Sequence, residues 1–519
     1  MVLCAKKCFG RRFEEKKYMP LLHIALHCPA CRRDYLPQAG LFGCPHARPD
    51  REHTLEKQIQ FPDAGRRTRD RIRRRWDKGL KDPFAVFRDI LTSRALLDDA
   101  GFLEILGTVQ QRLESLEGRP FRITPLVQAR ELATAIGHQG RLWIKDETGN
   151  VSGSHKARHL MGSLLYIEAL RRLQPESAKP VLAVYSCGNA ALGAAVVARA
   201  GGYELHAFVP EKVDAGIERM LRARNVRLQK LARRPQAAGD PCYLAFQRAV
   251  REKGWRPFSC SGNDNWSNIE GGETLAWETL MQLRTHGCNP AALVLQVGGG
   301  ALARSVARAF KTAKHMGMIS VFPKIFVCQP QGGFPFVRAY LLALSYIAQS
   351  AGLVFDLADD PAADPLRRCA NFASFARTRN AQIRQVAEFA RRNFETRAVQ
   401  RILEDALHGR KRLMWPWDAE PPHSLAHGIL DDVTYDWYEL LRDILKSGGR
   451  AVVVAEKNIA RAWELAGSRT SMAPCATGSA GLAGFLQLQQ DGDIGRHEAV
   501  VLFFTGRDRR NRTSGFAQE

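Results

Sequence analysis

The chain has 519 residues, a length that suits two to four domains or one large α/β enzyme with additions. Hydrophobic residues make up 45% and charged residues 25%, and no segment approaches the ~18 consecutive apolar residues of a membrane span. The N-terminal stretch MVLCAKKCFGRRFEEKK lacks the apolar core of a secretory signal, and the 12 cysteines are irregularly spaced. We therefore expect a cytoplasmic protein with mostly free thiols and no membrane contact.

The formal net charge of +23 comes largely from arginine, and the densest basic run is GRRTRDRIRRRWDKG (65–79). Such a run can dock on nucleic acid or on acidic lipid. The alternative is a solvated, arginine-rich surface helix. We favour the helix because no nucleic-acid-binding module accompanies the run.

Residues 1–80 are basic and poorly periodic, and we predict that they form a small N-terminal appendage. From residue 81 onward, the sequence has an α/β pattern. Six segments are predicted strands: VLAVYS (181–186), YELHAFVP (203–210), ALVLQV (292–297), KIFVCQP (324–330), RAVVVAE (450–456) and EAVVLFFTG (498–506). Two segments between them are predicted helices: AALGAAVVARA (190–200) and ALARSVARAFKTA (301–313). Repeated βαβ units predict parallel sheets with helices on both faces. The polar, helix-favouring stretch 354–412 is predicted to be a helical insertion or lid.

Four segments carry residues that could do chemistry, and each also has a structural explanation. Lys156, within KDETGNVSGSHKARH (145–159), precedes a predicted helix and could be a surface charge, a phosphate clamp or a covalent catalyst. Asn189, within SCGNAALG (186–193), begins a helix after a strand and could be a plain N-cap.

The other two segments follow later in the chain. QVGGGALA (296–303) places three glycines between a strand and a helix, where bare amides can bind phosphate. It lacks the spacing of a dinucleotide site and the lysine of a P-loop. SMAPCATGSAGLAGF (471–485) places small and hydroxyl residues before a helix, a pattern that close helix packing also requires.

Considered together, the four segments fit one ligand. A lysine amine, a phosphate-binding glycine loop, an asparagine beside a polar ring substituent and a hydroxyl beside a ring nitrogen suit pyridoxal phosphate. The lysine would form a Schiff base with the aldehyde, and the ring would act as electron sink.

Here the sequence resembles the fold type II pyridoxal-phosphate enzymes, among them threonine synthase, serine and threonine dehydratases and the tryptophan synthase β chain. The motifs SGSHKAR, SCGNAALG, GGGAL and TGSAGLAG occur in the family's order, over roughly residues 81–510. The resemblance implies that Lys156 is catalytic and holds the cofactor. It assigns further cofactor contacts to Asn189, Gly298, Gly299, Gly300, Ala301, Leu302 and Thr477, and substrate contacts to Ser186, Cys187 and Gly188.

The resemblance also implies a two-domain fold, with parallel-rich sheets flanked by helices. We expect a large cofactor-binding domain at 81–155 and 240–519, containing the insertion at 354–412, and a small domain at 156–239. A homodimer is the family expectation.

The implied activity is α,β-elimination on an amino acid by a dehydratase-like, ammonia-lyase-like or threonine-synthase-like enzyme, with Lys156 removing the α-proton. Cys187 stands where the family's racemases carry serine, which disfavours racemisation. One alternative is a β- or γ-replacement synthase. Another is a catalytically degenerate nucleic-acid-binding protein, which the intact motifs disfavour. The stretch PHSLAHGILDD (422–432) is a candidate contributor to substrate specificity.

Cysteines near the N-terminus resemble the knuckle that some threonine-synthase-like members carry. Cys28, Cys31 and Cys44, together with His46 or His53, could bind a structural zinc ion. We chose His46 as the fourth ligand, although its closeness to Cys44 strains tetrahedral geometry. The alternative is a degenerate knuckle with free thiols.

Overall fold

The computed structural model describes residues 23–48, 53–60, 64–175, 178–233, 239–355, 372–414 and 423–509. The N-terminal stretch that lacks a secretory-signal pattern and residues 356–371 of the predicted insertion lie outside the described residues. Among the helices that the structure describes, none is long and apolar enough to cross a membrane.

The strands are β1 (His23–Cys28), β2 (Arg33–Tyr35), β3 (Glu56–Gln60), β4 (Leu126–Gln128), β5 (Leu142–Asp146), β6 (Leu182–Tyr185), β7 (Leu205–Pro210), β8 (Arg227–Leu231), β9 (Arg256–Pro257), β10 (Ala292–Gln296), β11 (Lys324–Pro330), β12 (Ala451–Val454) and β13 (Val500–Phe504). The helices are α1 (Ala64–Asp77), α2 (Pro83–Val86), α3 (Thr92–Leu96), α4 (Asp99–Glu117), α5 (Arg130–Ala135), α6 (Lys156–Leu173), α7 (Asn189–Gly201), α8 (Ala215–Arg222), α9 (Pro241–Lys253), α10 (Ser267–Thr285), α11 (Ala301–His315), α12 (Pro335–Ala351), α13 (Phe372–Arg392), α14 (Arg397–Ala406), α15 (Arg410–Met414), α16 (Trp437–Ser447), α17 (Glu456–Ser468) and α18 (Ala476–Asp491).

The larger sheet has the strand order β12-β11-β10-β13-β5-β4, and every neighbouring pair except β4–β5 is parallel. Alternate residues of its central strands enter different cores. Leu293 and Leu295 pack in one core, whereas Val294 packs in the core on the opposite face. Helices therefore cover both faces, as the uninterrupted apolar strands predicted.

The smaller sheet has the order β8-β7-β6-β9, and all its pairs are parallel. Its last strand, β9, lies at Arg256–Pro257, so this sheet extends beyond residue 239, where the sequence analysis ended the small domain. The two-domain α/β fold class predicted from the sequence is confirmed.

The N-terminal strands form an antiparallel sheet, β2-β1-β3, that is firmly docked on the rest of the protein. Lys57 is fully buried and forms ion pairs with Glu270 at 2.5 Å and Glu273 at 3.5 Å, both on α10. The neighbouring Glu56 pairs with Arg304 of α11. These ion pairs attach the N-terminal sheet to α10 and α11, so the predicted appendage is packed against the rest of the protein.

The basic run forms helix α1, as the surface-helix interpretation predicted. Part of its charge has a structural role, because Arg75 donates a hydrogen bond to the Val86 carbonyl at 2.6 Å and pairs with Asp89. The described part of the insertion is helical too. Ile383 and Val386 of α13 are buried in the core of the larger sheet, so this helix is packed against the domain.

Candidate active site

Lys156 is the first residue of α6 and is partly buried. The loop before it contains two successive residues with positive φ, Ser152 at 57° and Gly153 at 69°. A Cβ atom at Gly153 would lie 2.5 Å from Cδ of Arg507, so this loop fits closely against the segment after β13. Ser154 adds a β-bridge to Gly506. These contacts fix the point at which Lys156 enters the helix.

The glycine loop, Gly298–Gly300, connects the end of β10 with the start of α11. Gly300 is the helix N-cap and has φ 97°, a conformation that residues with a side chain rarely adopt. Ala301 and Leu302 are buried in the first turn of the helix. Amide groups at such a helix start favour an anion.

A covering segment, residues 427–436, lies across this glycine loop. The Thr434 hydroxyl donates a hydrogen bond to the Gly298 carbonyl at 2.9 Å, and the Asp436 amide donates one to the Gly299 carbonyl at 2.9 Å. A Cβ at Gly298 would lie only 2.6 Å from Oδ2 of Asp431. The absence of a side chain is therefore required for this approach.

The Asp431 carboxyl group lies against Gly299, whose backbone amide favours the charged form of the carboxyl. Desolvation raises the pKa of Asp431 to about 7, and the nearby positive charge of Lys156 opposes this rise. Asp431 thus links two predicted elements of the site, the lysine and the glycine loop.

Asn189 is the first residue of α7, and the cap position itself is occupied by Gly188. The Asn189 side chain therefore does not act as the plain N-cap that the sequence also allowed. Its Oδ1 accepts a hydrogen bond from Nη1 of Arg509 at 2.5 Å. In the same loop the Ser186 hydroxyl accepts a bond from the Gly188 amide at 3.2 Å, and Cys187 is exposed.

Thr477 lies in the first turn of α18 and is buried. Its hydroxyl accepts a hydrogen bond from the Gly428 amide at 3.1 Å, so the covering segment contacts Thr477 as well as the glycine loop. Gln296, at the end of β10, donates to the Thr477 carbonyl at 3.2 Å. These bonds place the start of α18 beside the end of the central strand.

A buried network of ion pairs joins the segment before Lys156 to helix α10. Arg158 is fully buried and pairs with Glu147 at 2.8 Å and with Glu278 at 2.6 Å. Lys145 joins the network through a 2.7 Å contact with Glu278. The arginine of the KAR motif therefore has a structural role, two residues after Lys156.

The N-terminal cysteines come together with His53. The ligand atoms of Cys28, Cys31, Cys44 and His53 all lie within 4.8 Å of one another. His46, which the sequence analysis chose as the fourth ligand, is exposed, and its Nε2 lies 2.8 Å from Nη1 of Arg33. The structure thus gathers the three predicted cysteines with the alternative histidine.

Sequence reasoning did not single out Asp431 and Arg509. Asp431 lies within PHSLAHGILDD, which was noted only as a possible source of specificity, and nothing near Arg509 signalled a contact with Asn189. Both contacts join residues far apart in the chain.

Comparisons with known proteins give one family match. Residues 119–363 match the family model described as pyridoxal-phosphate dependent enzyme. A search of curated proteins finds no match.

Three solved structures illustrate the fold. Maize serine racemase is 16% identical with a TM-score of 0.50, over 78% of this chain and 93% of that chain. A pyridoxal 5'-phosphate-dependent aspartate racemase is 15% identical with a TM-score of 0.51, over 80% and 98%. Diaminopropionate ammonia lyase from Escherichia coli is 14% identical with a TM-score of 0.50, over 78% and 89%. Identities this low show a common fold and leave the reaction open.

The family match over residues 119–363 and the two-sheet architecture support the resemblance to the fold type II pyridoxal-phosphate-dependent enzymes. The resemblance inferred from the ordered motifs is confirmed.

Proposed function

We propose that the protein is a pyridoxal-phosphate-dependent lyase that acts on an amino acid by α,β-elimination. The observation that carries the proposal is the Asp431 carboxyl group, which lies against Gly298 and Gly299 and within electrostatic reach of Lys156. When bound, the cofactor would withdraw electrons from the substrate carbon to which the amino group is attached.

The glycine loop provides a test of whether these residues suit the cofactor. The Asp431 carboxyl group lies against its Gly298 and Gly299 and stands in for the anion that a phosphate group would supply. Lys156 is close enough for its charge to act on the same carboxylate. The donor set therefore fits a phosphate near an aldehyde-reactive amine, on condition that Asp431 moves away.

Each predicted residue then has a role. Lys156 would hold the cofactor aldehyde and, once freed, would accept the proton from the substrate Cα. Gly298–Gly300, with the first turn of α11 at Ala301 and Leu302, would hold the phosphate, and the Thr477 hydroxyl would face the ring nitrogen. Asn189 would lie beside the ring.

The asparagine loop would bind the substrate. The Ser186 hydroxyl and the amides of Cys187 and Gly188 could donate hydrogen bonds to the substrate carboxylate. Cys187 stands where the racemases of the family carry serine, so we favour elimination over racemisation. A homodimer and a cytoplasmic location complete the proposal.

Elimination and replacement can be separated by a single assay. The full-length protein loaded with pyridoxal phosphate is incubated with hydroxy- and substituted amino acids, and ammonia and keto acid are measured. A lyase is expected to release both products without any added nucleophile. Turnover that requires a thiol, amine or other nucleophile would instead support the replacement synthase.

We also propose a structural zinc site at Cys28, Cys31, Cys44 and His53. Three thiolates and one imidazole form a common tetrahedral zinc set. The Cys31 and Cys44 sulfurs are 3.7 Å apart, and the Cys28 sulfur is 3.5 Å from Nδ1 of His53. Two sulfurs bound to one zinc ion at ~2.3 Å would be separated by a similar distance.

The two histidines provide a matched pair for testing the zinc site. Elemental mass spectrometry of the purified protein is expected to find about one zinc ion per chain. His53→Ala should remove most of the zinc, whereas His46→Ala should retain it, because His46 points to Arg33. Equal zinc loss in both variants, or no zinc in the parent protein, would contradict the site.

A further inference from the structure

The covering segment, residues 427–436, contacts both domains around the candidate site. Its Gly428 amide reaches Thr477, and Thr434 and Asp436 bond to the glycine loop. The Tyr435 ring lies 5.7 Å from the ring of Tyr185 and 5.1 Å from that of Tyr243, which belong to an aromatic cluster on the smaller sheet. The segment thus forms a bridge between the glycine loop, the start of α18 and the aromatic cluster of the smaller sheet.

Within this bridge, Asp431 places its carboxylate against the glycine loop. Oδ2 would be 2.6 Å from a Cβ at Gly298 and 3.6 Å from a Cβ at Gly299, and the Gly299 amide favours the charged form of the carboxyl. The neighbouring Asp432 points elsewhere, because its carboxylate pairs with Arg233 at 3.0 Å. Only the first of the two adjacent aspartates therefore occupies the anion position.

A phosphate and this carboxylate would compete for the same amides. Both are anions with acceptor oxygens, and the helix start offers one set of N–H donors. Above pH 7, where the Asp431 carboxyl is mostly ionised, a phosphate within a few ångströms would place two negative charges in a partly desolvated site, where they repel each other. Binding of one therefore requires withdrawal of the other.

We propose that Asp431 is a built-in competitor for the phosphate subsite, so that the covering segment closes the glycine loop until a phosphate-bearing ligand displaces it. The identity of that ligand rests on the proposed function. The competition itself concerns only the carboxylate, the glycine loop and an anion.

The test is a calorimetric titration of the full-length, cofactor-free protein with inorganic phosphate. Asp431→Asn is expected to lower the dissociation constant for phosphate at least about tenfold, since the variant keeps the side-chain shape but removes the competing charge. Asp431→Ala should lower the dissociation constant for phosphate as well. This second variant shows that the effect does not come from the amide group of the asparagine. Asp432→Asn is the matched control and should change the constant little.

A second readout follows the segment itself. Phosphate is expected to increase chymotrypsin cleavage between residues 427 and 436 in the parent protein, because the displaced segment becomes accessible. Unchanged phosphate affinity in both Asp431 variants, or an equal gain in Asp432→Asn, would overturn the proposal. Neither outcome depends on pyridoxal phosphate or on Lys156, so a failure here is separate from a failure of the proposed lyase.

Discussion

Replacing Lys156 with alanine is expected to abolish covalent attachment of pyridoxal phosphate and to reduce amino-acid turnover by at least about 10³-fold. The variant loses the amine that would bond to the aldehyde and the base that would accept the Cα proton. Each of these losses by itself lowers the reaction rate by a large factor. The measurement is visible absorbance of the loaded protein, with borohydride treatment followed by peptide mass spectrometry. The parent protein should show a yellow band and, after reduction, a cofactor adduct on the peptide containing Lys156.

The control for this experiment is Lys314→Ala. Lys314 lies in the last turn of α11 and is exposed, so its loss removes a lysine from the same domain without touching the candidate site. This variant should bind cofactor and turn over substrate as the parent does. An adduct on another lysine, or full activity in Lys156→Ala, would show that the lysine has been misassigned. A parent protein that stays colourless with added cofactor would count against the whole enzyme proposal.

Much of the fold could be predicted because its signals are local. The strands at 292–296 and 500–504 are buried on both faces, and the sequence shows this as a run of apolar residues that is interrupted only by Gln296. The loop glycines follow a strand and precede a helix, which is again a short-range pattern. Their order along the chain then sufficed to predict the fold family.

The remaining features depend on contacts that no local pattern encodes. Asp431 contacts Gly298, which lies more than a hundred residues earlier in the chain. From the sequence alone, an aspartate in a polar loop is expected to be a solvated surface residue. The sequence offered His46 and His53 as alternative ligands, and the pairing of β3 with β1 brings His53 to the cysteines. Likewise, Lys57 gave no sign in the sequence that it would be buried beside Glu270.

Arg158 provides the second large expected effect, on stability. Arg158→Met should lower the free energy of unfolding by about 3–5 kcal/mol, because it leaves the buried carboxylates of Glu147 and Glu278 without their shared partner. Lys145 still neutralises part of the charge on Glu278, because its Nζ lies 2.7 Å from Oε2 of that residue. The measurement is chemical denaturation of the parent and the variant, both free of cofactor.

A surface arginine separates this effect from the general loss of a positive charge. Arg222 pairs with Glu218 one helical turn away at 2.8 Å, and its side chain is 61% exposed. Arg222→Met should therefore leave the unfolding midpoint almost unchanged. Arg158→Lys should fall between, since a single ammonium group cannot span two carboxylates as a guanidinium does. If Arg158→Met were as stable as Arg222→Met, the buried network of Arg158, Glu147 and Glu278 would not be a major contribution to the free energy of unfolding.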